Sequence, residues 1–143
     1  MSGFMAIEQL IVDRLKAALG DSVHVLTAAN LAGVAEGSQP TPAVHVVYGG
    51  YRVVEANSGF STIEQTWYAV VTVRNVRAVK SGAGARNEAD ALLDAVYAAL
   101  AAYKPPNARP LAITNAPKPQ TTAGFMYFPL AFNSTITMRT AGC

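Results

Sequence analysis

The stretch Val71 to Leu93, VTVRNVRAVKSGAGARNEADALL, holds the residues whose types and spacing come nearest to chemistry. An alternating apolar run carries Arg74, Arg77 and Lys80, breaks at Gly82 and Gly84, adds Arg86, and continues with helical spacing. Strand, glycine turn, helix start and cations are the parts of a phosphate cradle, where backbone N–H groups and the helix dipole hold an anion. The parts do not complete the device. A P-loop needs GxxxxGK[ST], with a lysine for the terminal phosphates and a hydroxyl for magnesium. Here Gly84 leads instead into Ala85, Arg86, Asn87 and Glu88. A dinucleotide fingerprint would set a third glycine where Asn87 stands. Glu88 and Asp90, near the helix start, would repel a phosphate. What remains is a basic connection between a strand and a helix, either a solvated loop or an electrostatic docking patch.

Other chemistry fails on residue supply. His24 and His45 each sit inside a strand candidate and are not spaced as metal ligands; a hydrogen-bonded structural role is expected for both. The sequence has no HExxH, CxxC or acidic metal cluster, and its single cysteine, Cys143, is the last residue. A structural zinc site and a cysteine nucleophile are therefore not expected. There is no GxSxG elbow. Glu88, Asp90 and Asp94 lie mostly off the apolar stripe of their helix and favour its dipole. No cofactor is expected, and no enzyme.

The elements that hold these residues follow from periodicity. Met5–Leu19 repeats apolar residues at Ile7, Leu10, Ile11, Leu15, Ala18 and Leu19, and Gly20 supplies a stop, so one buried helix face is expected. Val23–Thr27 is a short strand, and Ala28–Pro42 a polar connection that its prolines make extended. AVHVVYGGYRVVEA is either a hairpin turning at Gly49-Gly50 or one bulged strand. After a turn at Asn57–Ser61 comes the long strand IEQTWYAVVTVRNVRAV, with Trp67, Ala69, Val71 and Val73 on the core face and Tyr68, Val70, Thr72 and Arg74 on the other. The loop Ser81–Asn87 then leads to a helix over Glu88–Tyr103, with its stripe at Ala89, Leu92, Leu93, Val96, Tyr97 and Leu100 and a stop at Pro105-Pro106.

ARPLAIT is a short strand and NAPKPQTTAG a loop. The final strand FMYFPLAFNSTITMRT alternates Met126, Phe128, Leu130, Phe132, Ile136 and Met138 against a more polar face. Pro129 cannot donate to a ladder, which places this strand at an edge or bulges it there. The expected fold is α+β: two layers, a largely antiparallel or mixed sheet with two amphipathic helices on one face and the other face free for solvent or a partner.

Composition bounds the setting. A chain of 143 residues reads as one domain, 1–143, and buries roughly 68–70% of its unfolded surface. Charged residues make up 14% against the usual ~25%, which leaves room for surface covered by neighbouring subunits. Net charge is +2, well short of a dedicated nucleic-acid binder. Between Gln65 and Asn87, however, stand four basic residues and no acidic one. No apolar run approaches the ~18 residues of a membrane span and no signal peptide is evident, so a soluble, cytoplasmic protein is expected.

Three stretches carry a family resemblance: IEQLIVDRLKAAL, VTVRNVRAVKSGAGARNEADALLDAVYAALAAYKP and GFMYFPLAFNSTITMRT. Together with the order of elements, they make the chain similar to the tail terminators of long-tailed bacteriophages and prophages. The resemblance implies a non-enzymatic virion protein, assembled in the host bacterial cytoplasm. It also implies a hexameric ring at the head-proximal end of the tail tube that stops tube growth and offers the surface for head joining. The implied partners are further copies of the chain, the tail tube protein and the head–tail connector protein, with passing DNA in transient, non-specific contact and no membrane. The resemblance also implies loops that change conformation on assembly. Arg74, Arg77, Lys80 and Arg86 are the candidate assembly-interface residues. Two alternatives stand beside this: another connector, neck or minor tail component, and an RNA- or nucleotide-binding α+β module. The second lacks the aromatic stacking motif such modules use.

Overall fold

The computed structural model describes residues 4–74, 83–106, 108–122 and 124–139, with backbone alone at 36 and 83–85. The apolar spacing of the first segment becomes α1 (Ala6–Leu19), which buries Ile7, Ile11, Val12 and Leu15. β1 (His24–Thr27) follows, then two short turns of helix in the connection expected to be polar and extended: α2 (Ala28–Leu31) and a 3-10 turn over Glu36–Ser38. The first is a capping box, with Thr27 N–H donating to Asn30 Oδ1 at 2.9 Å.

β2 (Ala43–Ala56) and β3 (Phe60–Arg74) form one long antiparallel hairpin. Its turn is fixed by Asn57, whose Oδ1 accepts from Gly59 N–H at 2.8 Å and Phe60 N–H at 3.0 Å. Gly49-Gly50 is therefore a bulge within a single strand and not a hairpin turn: the register against β3 shifts between Tyr48 and Tyr51. Both glycines are needed there. Gly50 takes φ +92°, and a Cβ on Gly49 would stand 2.5 Å from the Tyr68 ring.

α3 (Ala83–Leu100) begins earlier than the expected Glu88, so Gly84, Arg86 and Asn87 are helical and the loop read at Ser81–Asn87 is not a loop from Ala83 onward. Asn87 lies inside the helix; Ser81, where the expected loop begins, is outside the described residues. The helix also ends before Tyr103. Ala102 turns to φ +63°, and its N–H and the carbonyl of Tyr103 pair with Leu111, pulling the chain back toward the sheet. Of the expected stripe, Ala89, Val96 and Leu100 are buried, whereas Tyr97 is exposed and Ala99 takes a buried place.

β4 (Ala112–Thr114), β5 (Gln120–Thr122) and β6 (Phe125–Arg139) complete a six-stranded mixed sheet of order β1-β2-β3-β6-β4. β1 pairs β2 in parallel and every other pair is antiparallel. β5 lies in the segment read as loop and pairs β6 at Phe125–Tyr127, while β4 pairs it at Ala131–Asn133. The break between these short strands falls opposite Pro129, the one residue of β6 without an N–H. β6 is thus neither an edge strand nor shifted against β3; its outer neighbour is interrupted instead.

α1 packs against α3, β1 and β2, and α3 packs against β3 and β6, so both long helices cover one face. The core between the layers holds Trp67, Ala69, Val71, Val73, Phe132 and Ile136 from the sheet, as their alternation requires. The expected two-layer α+β architecture stands.

Candidate assembly surfaces

Of the four candidate interface residues, Arg74 ends β3 and Arg86 is exposed in the first turns of α3; Arg77 and Lys80 lie outside the described residues. Arg74 also makes contacts within its own subunit. Its Nη2 donates to the Gly37 carbonyl at 3.2 Å, and its guanidinium lies 4.6 Å from the centroid of the Phe125 ring. One N–H and one face of the guanidinium are thus engaged within the subunit, against the 3-10 turn and Phe125, while the side chain stays exposed.

That contact corrects the expectation of an open second face. Gln39, itself buried, donates to the Tyr127 hydroxyl at 2.8 Å. Beneath this strap Thr72 and Phe125 are fully buried and Ala43 is closed over, although all three stand on the face turned from the helices. His45 is also there, 6.4 Å from the Tyr127 ring. Its Nε2 has no hydrogen-bond partner among the described residues, so it is not the hydrogen-bonded histidine expected. Desolvation by burial lowers its pKa from the usual imidazole value, which favours the neutral ring. His24, by contrast, is exposed.

The open part of the second face is its other end. A groove there is lined by Arg52, Glu55, Glu64, Lys104, Arg109 and Thr137 among others, with Arg52 Nε and Glu64 Oε1 paired at 3.0 Å. Val54 lines it too, 50% exposed, and on the opposite face of β2 Tyr51 and Val53 are 53% and 55% exposed. Phe4 tilts its ring against Tyr51 at 5.4 Å, and the Phe4 carbonyl accepts from Gln65 Nε2 at 2.6 Å. Gln65 is fully buried among the apolar residues of β3 and also donates to the Tyr48 hydroxyl at 3.1 Å. Its signal was present in the sequence: position 65 has the parity of Ile63 and Trp67. The exposed valines carried a weaker signal, because alternation alone does not say which edge lacks a neighbour.

Among the described residues no group of three or more His, Cys, Asp and Glu is arranged to hold a metal, and no helix is long and apolar enough to cross a membrane. The molecule instead presents surfaces. A sequence model of the family described as Phage tail terminator protein matches residues 1–142. The chain belongs to the phage tail terminator family. A comparison with curated proteins finds no match. The tail terminators are a structural family, so this chain is a structural component of a phage tail, in keeping with the sequence resemblance.

Proposed function

We propose that this chain closes the head-proximal end of the phage tail tube as a ring of identical subunits, six in number. The ring stops tube growth and presents the surface to which the head joins, with assembly taking place in the host cytoplasm. The match to the tail terminator family over residues 1–142 carries the reading. The physical support is a surface suited to association. Tyr51, Val53, Val54, Phe4 and Met5 are large apolar side chains left exposed toward one end of the fold. A ring needs heterologous contacts, each subunit offering two different patches, and an open sheet has two different edges. In this proposal Arg77, Lys80 and Arg86 face the tube, the connector or the DNA that passes through the lumen, while Arg74 stabilises the subunit from within.

The test adds purified protein to polymerising tail tube protein and images the products. Tubes shortened in proportion to added protein, each with one ring-capped end, are expected. Tubes of unchanged length with bare ends would refute the reading.

A further inference from the structure

We infer that subunits join by strand addition, the outer edge of β2 in one copy pairing in parallel with the end of β6 in the next. This rests on the reading that the chain assembles with itself. β1 covers β2 only from Ala43 to Val46. From Val47 to Ala56, about 33 Å of strand, β2 has β3 on one side and no backbone partner on the other among the described residues. Such an edge is a template for another strand, and proteins that must avoid pairing blunt it with lysine, proline or shortness. No proline and no lysine stand between Val47 and Ala56, while bulges at Tyr48/Tyr51 and Val53/Glu55 and the charges of Arg52 and Glu55 mark the edge. Its register shift at Val53/Glu55 leaves Val54 unpaired with β3, yet Val53 and Val54 stay exposed.

The chain also carries the complementary edge. At Thr137–Arg139, β6 pairs β3 on one side and has no strand on the other among the described residues. β2 and β6 both run antiparallel to β3, so they share a direction, and copies related by rotation would bring β2 alongside β6 in parallel. The contact is head-to-tail, the kind that closes into rings. Glu55 has no ion pair among the described residues; within one copy it shares its groove with Lys104 and Arg109, and Arg139 ends β6. Glu55 of one copy faces these cations in the next.

The test follows self-association of the full chain by sedimentation velocity, and amide exchange by mass spectrometry, across protein concentration. On assembly, exchange at residues 51–56 and 137–139 should slow by at least about tenfold relative to the dilute protein. Glu55→Arg should raise the association midpoint about tenfold, and adding Arg109→Glu should recover most of that loss. Val53→Lys, at an exposed site, should weaken association without altering the melting of the dilute protein. Assembly without new protection at 51–56 would overturn the inference and leave the tube-capping reading standing. Protection that appears only with tube protein would overturn it too, by making the tube the partner. A chain that stays monomeric and leaves tubes uncapped would overturn both.

Discussion

Replacing Arg74 separates a docking cation from an internal clamp, because the two roles ask different things of the side chain. As a clamp it donates to the Gly37 carbonyl at 3.2 Å and lies over Phe125 at 4.6 Å. A charged donor to a carbonyl contributes about 1 kcal/mol at an exposed, slightly long distance, and an exposed cation–π contact about 0.5–1 kcal/mol. Arg74→Ala should therefore cost about 1–2 kcal/mol in all, or about 3–6 °C of melting temperature for a chain of this size. The Gln39–Tyr127 bond remains, so the strap loosens without being lost. Arg74→Lys is the discriminating variant: it keeps the charge but not the fork or the stacking plane, and should recover less than half of the loss. Urea unfolding at a protein concentration below the association midpoint measures both, and amide exchange at residues 37–39 should quicken in both. If Arg74→Ala leaves stability within about 0.3 kcal/mol of the parent, or if lysine restores it fully, the clamp is wrong and Arg74 returns to the docking set.

Two further outcomes follow from packing and burial. Gly49→Ala should destabilise by about 1–2 kcal/mol because its Cβ would meet the Tyr68 ring at 2.5 Å and the Thr66 carbonyl at 3.1 Å. Placed on a Tyr68→Ala background, the same change should cost clearly less, as chemical denaturation of the pair of variants would show. His45 sets an acid limit: its native pKa lies below that of the unfolded chain, so the unfolded state binds more protons as pH falls. Stability should hold above about pH 6.5 and decline below it; His45→Asn should flatten that decline in urea midpoints measured between about pH 7.5 and 5.5.

Periodicity made much of this fold legible. The parity of Trp67, Ala69, Val71 and Val73 told which side of β3 meets the helices, and the stripe of α1 did the same for its layer. What stayed hidden depended on distant partners. Nothing local to Arg74 says that Gly37 lies within reach, and nothing in Ala28–Pro42 says that this polar stretch folds over Thr72 and Phe125. The early start of α3 was obscured because Gly82 and Gly84 look like breakers, although a glycine in a first helical turn costs only about 1 kcal/mol. The bulge at Gly49-Gly50 was one of two readings open from sequence, and the Asn57 turn closing the hairpin beyond it decides between them. For the candidate interface, the sequence marked charge, which is visible locally. The exposed edge of β2 depends on β1 being only four residues long, and that is a property of the assembled sheet.

The most direct measurement of the central claim is the tail-length distribution, by electron microscopy, in lysates of phage lacking this gene. The account predicts tails longer than normal and of broad length distribution, few of them joined to heads, with normal tails restored when the protein is supplied in trans. Tails of normal, uniform length joined to filled heads would contradict it.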